Sequence, residues 1–248
     1  PFVQSFQNQQ TRNEKEKTEE ETPIEPSVPE LLIAETDKNK VWAFCAGQAS
    51  DDFRGNPKFL FIYINKYRKD ITAYWLCQSE ETRDQVIAQG YSAYLEHSPE
   101  GQEVMELTGV LVAEQAKNTI PPAFQHVKYL NLYHGVGGKH IERATLDDNL
   151  AQILAKKYIC HNSFYRDNQL FLVTSPVTEN LFKSMCGIDD DKVIRAGYPR
   201  CCYQRYFERI ATFDHDLLNR QGLPADTKLV VYAPTYRDAS RSVFLEAF

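Results

Sequence analysis

The stretch "VKYLNLYHGVGGKHIERA", residues 127–144, combines the features that decide the fold. It begins with an apolar run that ends at His134 and predicts a buried β-strand. A glycine-rich turn follows, and a basic segment with a weakly helical pattern (about 139–156) comes next. Strand, turn and helix in this order form the unit from which parallel sheets are built.

The same alternation extends to both sides of this stretch. Further apolar runs predict strands, and the segments between them predict helices. The strands are expected at 41–46, 72–77, 108–114, 170–175, 192–199 and 228–232, and the helices at 56–71, 79–90, 176–187 and about 202–221. This order predicts an α/β fold with a parallel sheet and crossover helices.

The first of these helices carries a detailed prediction. Asn56 is a possible N-cap, and Pro57 suits the first helical position. Leu60, Tyr63, Ile64 and Tyr67 are expected to fall on one face of this helix.

The two ends of the chain indicate a fragment of a longer protein. Residues 1–39 are rich in Glu, Lys, Gln, Thr and Pro and have no apolar period, which predicts a disordered linker or arm. The chain starts at Pro1 and stops at Phe248, soon after a strand-like run. We therefore expect another module upstream and a missing continuation downstream.

Composition excludes several classes of protein. A net charge of −6 disfavours a general nucleic-acid binder, although a local basic cluster could still hold an anion. The six cysteines form no C-x-x-C pair, so we expect no zinc site and a reducing, cytosolic compartment. No apolar run approaches the roughly 18 residues that a membrane-spanning helix needs.

Polar residues follow three of the predicted strands. Ligands of parallel sheets bind outside the carboxyl ends of the strands. The three tips read "YHGVGGKH", "AGYPR" and "APTYRD", and each brings a cation: Lys139, Arg200 and Arg237. In an acidic protein, this placement of cations predicts an anionic ligand.

His134 is the candidate general base. An imidazole accepts a proton near neutral pH, and the following glycines let a substrate approach closely. The alternative is a histidine bonded to a neighbouring carbonyl, with glycines that only make the turn. Spacing does not decide between them, because "GVGGK" matches neither a P-loop nor a dinucleotide motif.

The cations have plainer interpretations as well. Lys139 could belong to a solvated helix face. Arg237 could bind a phosphate with its planar fork and Asp238 could cap a helix, or the two could form a surface ion pair. Cys201 and Cys202 are most simply a packed helix start.

Five motifs, taken together, resemble the CDP-glycerol glycerophosphotransferase family, the teichoic-acid and capsule polymerases of bacteria. They are "NPKFLFIYINK", "YHGVGGK", "TSPVTENLFKSMCG", "AGYPR" and "VVYAPTYRD". The family shows W-H-G-T-P-L-K, G-Y-P-R-N-D and Y-A-P-T-W-R-D stretches, and the spacing from His134 to Lys139 matches. The resemblance covers roughly residues 41–248.

The sequence departs from the family at three places. Tyr133 replaces Trp, the residues 136–138 (Val-Gly-Gly) replace Thr-Pro-Leu, and Cys201-Cys202 replaces Asn-Asp. The change at 136–138 alters the turn on the acceptor side. The acceptor and the transferred alditol therefore stay open.

The resemblance implies a GT-B fold of two Rossmann-like lobes. Residues 40–205 would form the N-terminal, acceptor-side lobe with its parallel sheet. Residues 206–248 would form a linker and the truncated start of the C-terminal, nucleotide-binding lobe.

The resemblance also implies the site. His134 would be the general base, and Gly135 and Gly197 would permit close approach. Phosphate charge would be held by Lys139, Arg200 and Arg237 together with Thr235 and Asp238. No cofactor and no metal is expected. The partners would be CDP-glycerol or a related CDP-alditol, a polyol-phosphate or capsule polymer as acceptor, and the C-terminal lobe, with no nucleic acid.

The activity implied is transfer of glycerol phosphate from CDP-glycerol to a polymer hydroxyl with release of CMP, at the inner face of the cytoplasmic membrane. The isolated 248 residues would be inactive. Two alternatives remain: a GT-B glycosyltransferase that uses a nucleotide sugar, and an acceptor-binding lobe without turnover.

Overall fold

The computed structural model describes residues 37–47, 51–115, 121–135, 167–208, 221–224, 226–228 and 230. The chain divides into two compact units, Pro1–Arg209 and Ile210–Phe248, and every element below belongs to the first. The weakly helical stretch at 139–156 lies outside the described residues. Of the strand predicted at 228–232, only residues 228 and 230 are described. The lobe boundaries and the N-terminal linker stay predictions.

A parallel sheet forms the centre of the first unit, in the order β3-β2-β1-β4-β5-β6-β7. All six pairings between neighbouring strands are parallel. The strands are β1 Val41–Phe44, β2 Thr72–Cys77, β3 Ala93–Leu95, β4 Val110–Ala113, β5 Lys128–Asn131, β6 Gln169–Val173 and β7 Val193–Arg195. The predicted α/β class with a parallel, Rossmann-like sheet is confirmed.

The described α-helices alternate with these strands. They are α1 Gly55–Tyr67, α2 Glu80–Ile87, α3 Pro99–Leu107, α4 Pro176–Cys186 and α5 Pro199–Tyr206. Short 3-10 helices lie at Lys38–Lys40, Pro122–Phe124 and Asp190–Lys192. Within the described residues, no helix is both long enough and apolar enough to cross a bilayer.

Alternation along the strands divides the core between the two faces of the sheet. Ala43 and Tyr74 pack with α3 residues such as Met105 on one face. On the other face, Phe61 of α1 lies 5.3 Å from the ring of Phe44 and 5.7 Å from that of Trp75. Helices thus cover both faces, as parallel sheets require.

Two elements were missed by the sequence analysis. β3 has only three residues, too few to show a period. α3 carries the start signals Ser98, whose side chain accepts from Gly101 N, and Pro99. Gly101, which is unfavourable inside a helix, made these start signals hard to recognise. A Cβ at that position would overlap the carbonyl of Leu95, so the close contact with β3 explains why the residue is a glycine.

The predicted N-cap of the first helix was wrong. α1 begins at Gly55 with Arg54 as N-cap, whose side chain makes no capping hydrogen bond, so Asn56 lies inside the helix and is not its cap. The four residues predicted on one face differ in burial: Ile64 is buried, whereas Tyr67 is 51% exposed. α1 packs on the sheet and on α5 at once, which buries a wider surface than one stripe; the buried residues include Phe59, Phe61, Ile62 and Ile64.

The start of α5 also differs from expectation. This helix begins at Pro199, earlier than predicted, so Cys201 and Cys202 fall in its first turn. Cys201 is exposed and Cys202 is partly buried, so only the second thiol packs.

Phe61 tests the packing between α1 and the sheet. Its side chain is fully buried among four aromatic rings, and Phe61→Ala should lower the free energy of unfolding by about 3–5 kcal/mol. Urea denaturation measures this. Val177→Ala, at a 74% exposed position of α4, is the control and should change stability by less than about 0.5 kcal/mol. Equal effects of the two substitutions would contradict the packing.

Candidate active site

The strand order places a crevice at the carboxyl edge of the sheet. β2 and β3 are added on one side of β1 and β4 to β7 on the other, so the strand order switches between β1 and β4, and such a switch point is where open α/β sheets bind ligands. α1 starts just beyond β1, Glu114 directly follows β4, and Tyr133 and His134 follow β5, the next strand along. These segments therefore meet at one end of the sheet.

His134 is presented at this edge by buried aromatic packing beneath it. Its side chain is exposed, and its ring stacks on Tyr133 with 4.3 Å between centroids. Tyr133 is itself buried and lies 4.6 Å from Phe182 of α4 and 5.5 Å from Phe171 of β6. Its backbone has φ +50°, a conformation unusual for a residue with a side chain, which turns the chain sharply at the strand tip.

A hydrogen bond within the tip supports this turn. The Asn131 carboxamide oxygen accepts from the backbone N–H of Tyr133 at 3.0 Å. Its amide group donates to the Gln169 side chain on β6 at 3.3 Å. Both side chains are buried, so the tip is held from below by satisfied polar groups.

Asn56 joins four segments at the crevice. It is fully buried, and its Nδ2 donates to the carbonyl oxygen of Tyr133 at 2.7 Å. Its Oδ1 accepts from the backbone N–H of Arg200 at 3.3 Å, and its own backbone N–H donates to Glu114 Oε2 at 3.1 Å. α1, the end of β4, the tip of β5 and the start of α5 are thereby connected through one residue.

Arg200 reaches the same strand tip. Its Nη2 donates to the carbonyl oxygen of His134 at 3.0 Å. The Gly135 Cα faces this guanidinium, since a Cβ built there would lie 4.0 Å from Nη2. The structure thus brings together three of the predicted site residues: His134, Gly135 and Arg200.

Burial at the crevice shifts two pKa values in opposite directions. Partial burial, followed by the positive charges of Arg200 and Arg54, lowers the pKa of His134 below its ordinary value, so the imidazole is neutral at pH 7 and free to accept a proton. Burial raises the pKa of Glu114, against the opposing effects of the Asn56 N–H and the same two arginines. Glu114 accepts at the N-terminus of α1, where a negative charge is favoured.

Gly197 has a different neighbour from the one expected. A Cβ at this position would overlap the Cys202 sulfur, so packing against α5 already requires a glycine. It lines an apolar cavity of about 270 Å³ between α1 and α5, together with Tyr63, Tyr203 and Phe207. Its predicted contact with substrate stays a prediction.

The remaining predicted site residues cannot be placed in this crevice. Lys139, Thr235, Arg237 and Asp238 lie outside the described residues. Within the part of the chain that the structure describes, no group of three or more His, Cys, Asp or Glu side chains is arranged to hold a metal ion.

Sequence reasoning missed three residues of the crevice. Glu114 ends the strand "TGVLVAE" and could have been found by the rule that selected His134. Asn56 was hidden because an Asn before a helix reads as a cap. Tyr198 gave no signal: its hydroxyl is buried without a hydrogen-bond partner among the described residues, and its ring lies 5.7 Å from the Arg200 guanidinium carbon.

Comparison with known proteins gives the family. The family model described as CDP-Glycerol:Poly(glycerophosphate) glycerophosphotransferase matches residues 30–247. The chain is 24% identical over 222 residues to the teichoic acid glycerol-phosphate transferase of Staphylococcus aureus, covering 84% of this chain and 53% of that protein. It is also 24% identical over 210 residues to the teichoic acid poly(glycerol phosphate) polymerase of Staphylococcus epidermidis, covering 75% of this chain and 26% of that protein.

Solved structures give a matching fold. The wall teichoic acid polymerase TagF superposes with a TM-score of 0.55 and 17% identity over 81% of this chain and 48% of that chain. A variant of TagF gives a TM-score of 0.56 and 20% identity over the same shares. At this identity the likeness concerns the fold. The chain spans about half the length, or less, of the relatives it matches.

Gly55 tests the contact between Glu114 and α1. Its φ is +73°, and a Cβ there would overlap the Glu114 carboxylate. Gly55→Ala should therefore lose about 1–2 kcal/mol of stability from backbone strain and a further 1–3 kcal/mol, roughly, from overpacking. Gly90→Ala is the matched control, because Gly90 has φ +82° but open space around it and should show only the strain. Equal losses in thermal or urea unfolding would contradict the contact.

Proposed function

Because the chain belongs to the CDP-glycerol:poly(glycerophosphate) glycerophosphotransferase family, we propose that the full-length protein transfers glycerol phosphate, or a related alditol phosphate, from CDP-glycerol to a hydroxyl of a growing teichoic-acid-like or capsule polymer. The acceptor oxygen forms a bond to the phosphorus that carries the glycerol. The bond from that phosphorus to the bridging oxygen breaks, and CMP leaves with the electron pair. The proton of the attacking hydroxyl passes to the enzyme.

The observation that carries this proposal is the state and position of His134. Its imidazole is partly exposed at the carboxyl edge of the sheet, and partial burial, then Arg200 and Arg54, hold its pKa below the ordinary value of about 6.5, so the neutral form predominates at pH 7. A neutral imidazole is able to take the proton of the acceptor hydroxyl, a contribution of typically about 10²–10⁴-fold. The role of His134 as general base is thus supported by its protonation state as well as by its motif.

Arg200 is proposed to stabilise phosphate charge beside this base. Phosphoryl transfer depends mainly on positioning and on charge stabilisation, because charge spreads over the phosphate oxygens in the transition state. The guanidinium is anchored by one N–H on the His134 carbonyl, which aims its remaining donors from a fixed position. Gly135 leaves room for the ligand beside it.

The other predicted binding residues complete the proposal. Lys139, Thr235, Arg237 and Asp238 would contact the phosphates, and Gly197 would permit close approach. Residues 40–205 would form the acceptor-side lobe, and the C-terminal lobe would supply most of the CDP-alditol site. The isolated chain would then be inactive, and the full-length enzyme would act at the inner face of the cytoplasmic membrane.

A panel of donors tests the reaction class. Full-length protein with an acceptor oligomer of glycerol phosphate should release CMP from CDP-glycerol or CDP-ribitol and leave UDP-sugars intact. Chromatography of the released nucleotide measures this. Release of UDP from a nucleotide sugar would instead assign a glycosyltransferase, and binding of the oligomer without release from any donor would assign a non-catalytic lobe.

Substitution of the base tests the mechanism. In the full-length enzyme His134→Ala should lower kcat by about 10²–10⁴-fold while the protein stays folded, because the exposed ring contributes little to the core. His126→Ala is the control: this exposed histidine lies just before β5, at the opposite edge of the sheet, and its loss should leave turnover unchanged. Near-normal turnover in the His134 variant would remove the base assignment.

A further inference from the structure

Both ends of the Asn56 carboxamide are occupied by backbone groups of the proposed site. The donor end binds the carbonyl of Tyr133, the residue before His134. The acceptor end binds the N–H of Arg200 itself. A carboxamide offers a donor and an acceptor side by side, so a residue of this type is able to bridge a carbonyl and an N–H that belong to segments far apart in the chain.

The bridge connects the two groups to which the proposed chemistry is assigned. His134 is delivered by β5 and Arg200 by α5, and they touch through the bond from Arg200 Nη2 to the His134 carbonyl. That bond is exposed, whereas the bond from Asn56 to Tyr133 is buried and shorter, at 2.7 Å. Buried hydrogen bonds are shielded from competing water, so the bond from Asn56 is the stronger constraint on the tip of β5, while the bond to the Arg200 N–H, at 3.3 Å, extends the bridge to α5.

We propose that Asn56 is a positioning residue of the transfer reaction, which holds the tip of β5 and the first turn of α5 in one register so that His134 and Arg200 face the same ligand. This inference rests on the proposed function for its link to catalysis. The bridge itself is a property of the fold and is measured separately below.

Loss of the Asn56 carboxamide would affect the positions of His134 and Arg200 at the same time. Without it, the buried carbonyl of Tyr133 and the partly buried N–H of Arg200 lose their partner, and the segments that carry them must shift to reach water or other polar groups. Arg200 would then move relative to the His134 ring. A displacement of about 1 Å is enough to cost about 10²-fold in rate when reacting groups must be aligned.

The charges near His134 make this displacement visible by titration. Partial burial is the first cause of the lowered pKa of His134, and the positive charges of Arg200 on α5 and Arg54 before α1 lower it further, while Glu114 after β4 binds the start of α1. A positive charge nearby disfavours the imidazolium, so moving Arg200 away raises the pKa of His134 toward its ordinary value of about 6.5. A purely structural role of Asn56 would leave that pKa unchanged in the folded variant.

The experiment compares three variants of the full-length protein by NMR titration of the histidine ring protons, with the His134 signal identified by its loss in His134→Ala. Asn56→Ala should raise the pKa of His134, and Arg200→Met should raise it in the same direction. Asn65→Ala is the matched control, because this asparagine also bonds a carbonyl from α1, that of Phe61 within its own helix, and its loss should not move the titration.

The rate of transfer and its pH dependence provide the second measurement. In Asn56→Ala the acidic limb of the pH profile of kcat/KM should move to higher pH together with the titration, and kcat should fall by about 10–100-fold. If Asn56→Ala does not fold, Asn56→Ser takes its place, since its hydroxyl fills part of the space but spans only one of the two bonds.

The outcomes separate the two proposals. A folded Asn56 variant with the wild-type titration and wild-type kcat would overturn the positioning role. So would loss of folding in both Asn56 variants while Arg200→Met stays folded, because that result would assign Asn56 to stability alone. A shifted titration in a protein that uses none of the donors would support the bridge and overturn the proposed function.

Discussion

The crevice depends on one buried carboxamide. Asn56 lies at the start of α1 and satisfies polar backbone groups from the tip of β5 and the start of α5, while its own N–H is satisfied by Glu114 after β4. Polar groups that leave water must find partners, and here each partner comes from a different segment. The requirement to pair them is what fixes these segments against one another at the carboxyl edge of the sheet.

Aromatic packing provides the second constraint, since it accounts for the unusual backbone at the strand tip. Tyr133 has a positive φ, which costs free energy for any residue with a Cβ. Its buried ring, packed on Phe171 and Phe182, and the bond that Asn131 makes to its N–H offset that cost. The result is that the next residue, His134, leaves the core and enters solvent with its ring stacked on the same tyrosine.

The charge distribution fits the protonation states that the proposed reaction needs. The protein is acidic as a whole, yet at the crevice partial burial, and then the charges of Arg200 and Arg54, lower the pKa of the His134 imidazole. Glu114, the acidic residue at the same crevice, has a separate role, because its side chain is buried and accepts the backbone N–H of Asn56 at the start of α1. A base and a cation thus share one edge of the sheet, joined by the bond from Arg200 Nη2 to the His134 carbonyl.

The sequence by itself determined the class of fold and part of the site. Apolar runs alternating with helical periods are a local property, so strands such as 72–77 and helices such as 176–187 could be predicted, and the rule that ligands bind at strand tips selected His134 and Arg200. Only the tertiary structure decided what Asn56 does and which face of α1 is buried. Those answers depend on contacts between residues far apart in the chain, such as Asn56 with Arg200 and Tyr67 with Phe207. No period or motif along the chain specifies which distant group will pack beside a given side chain.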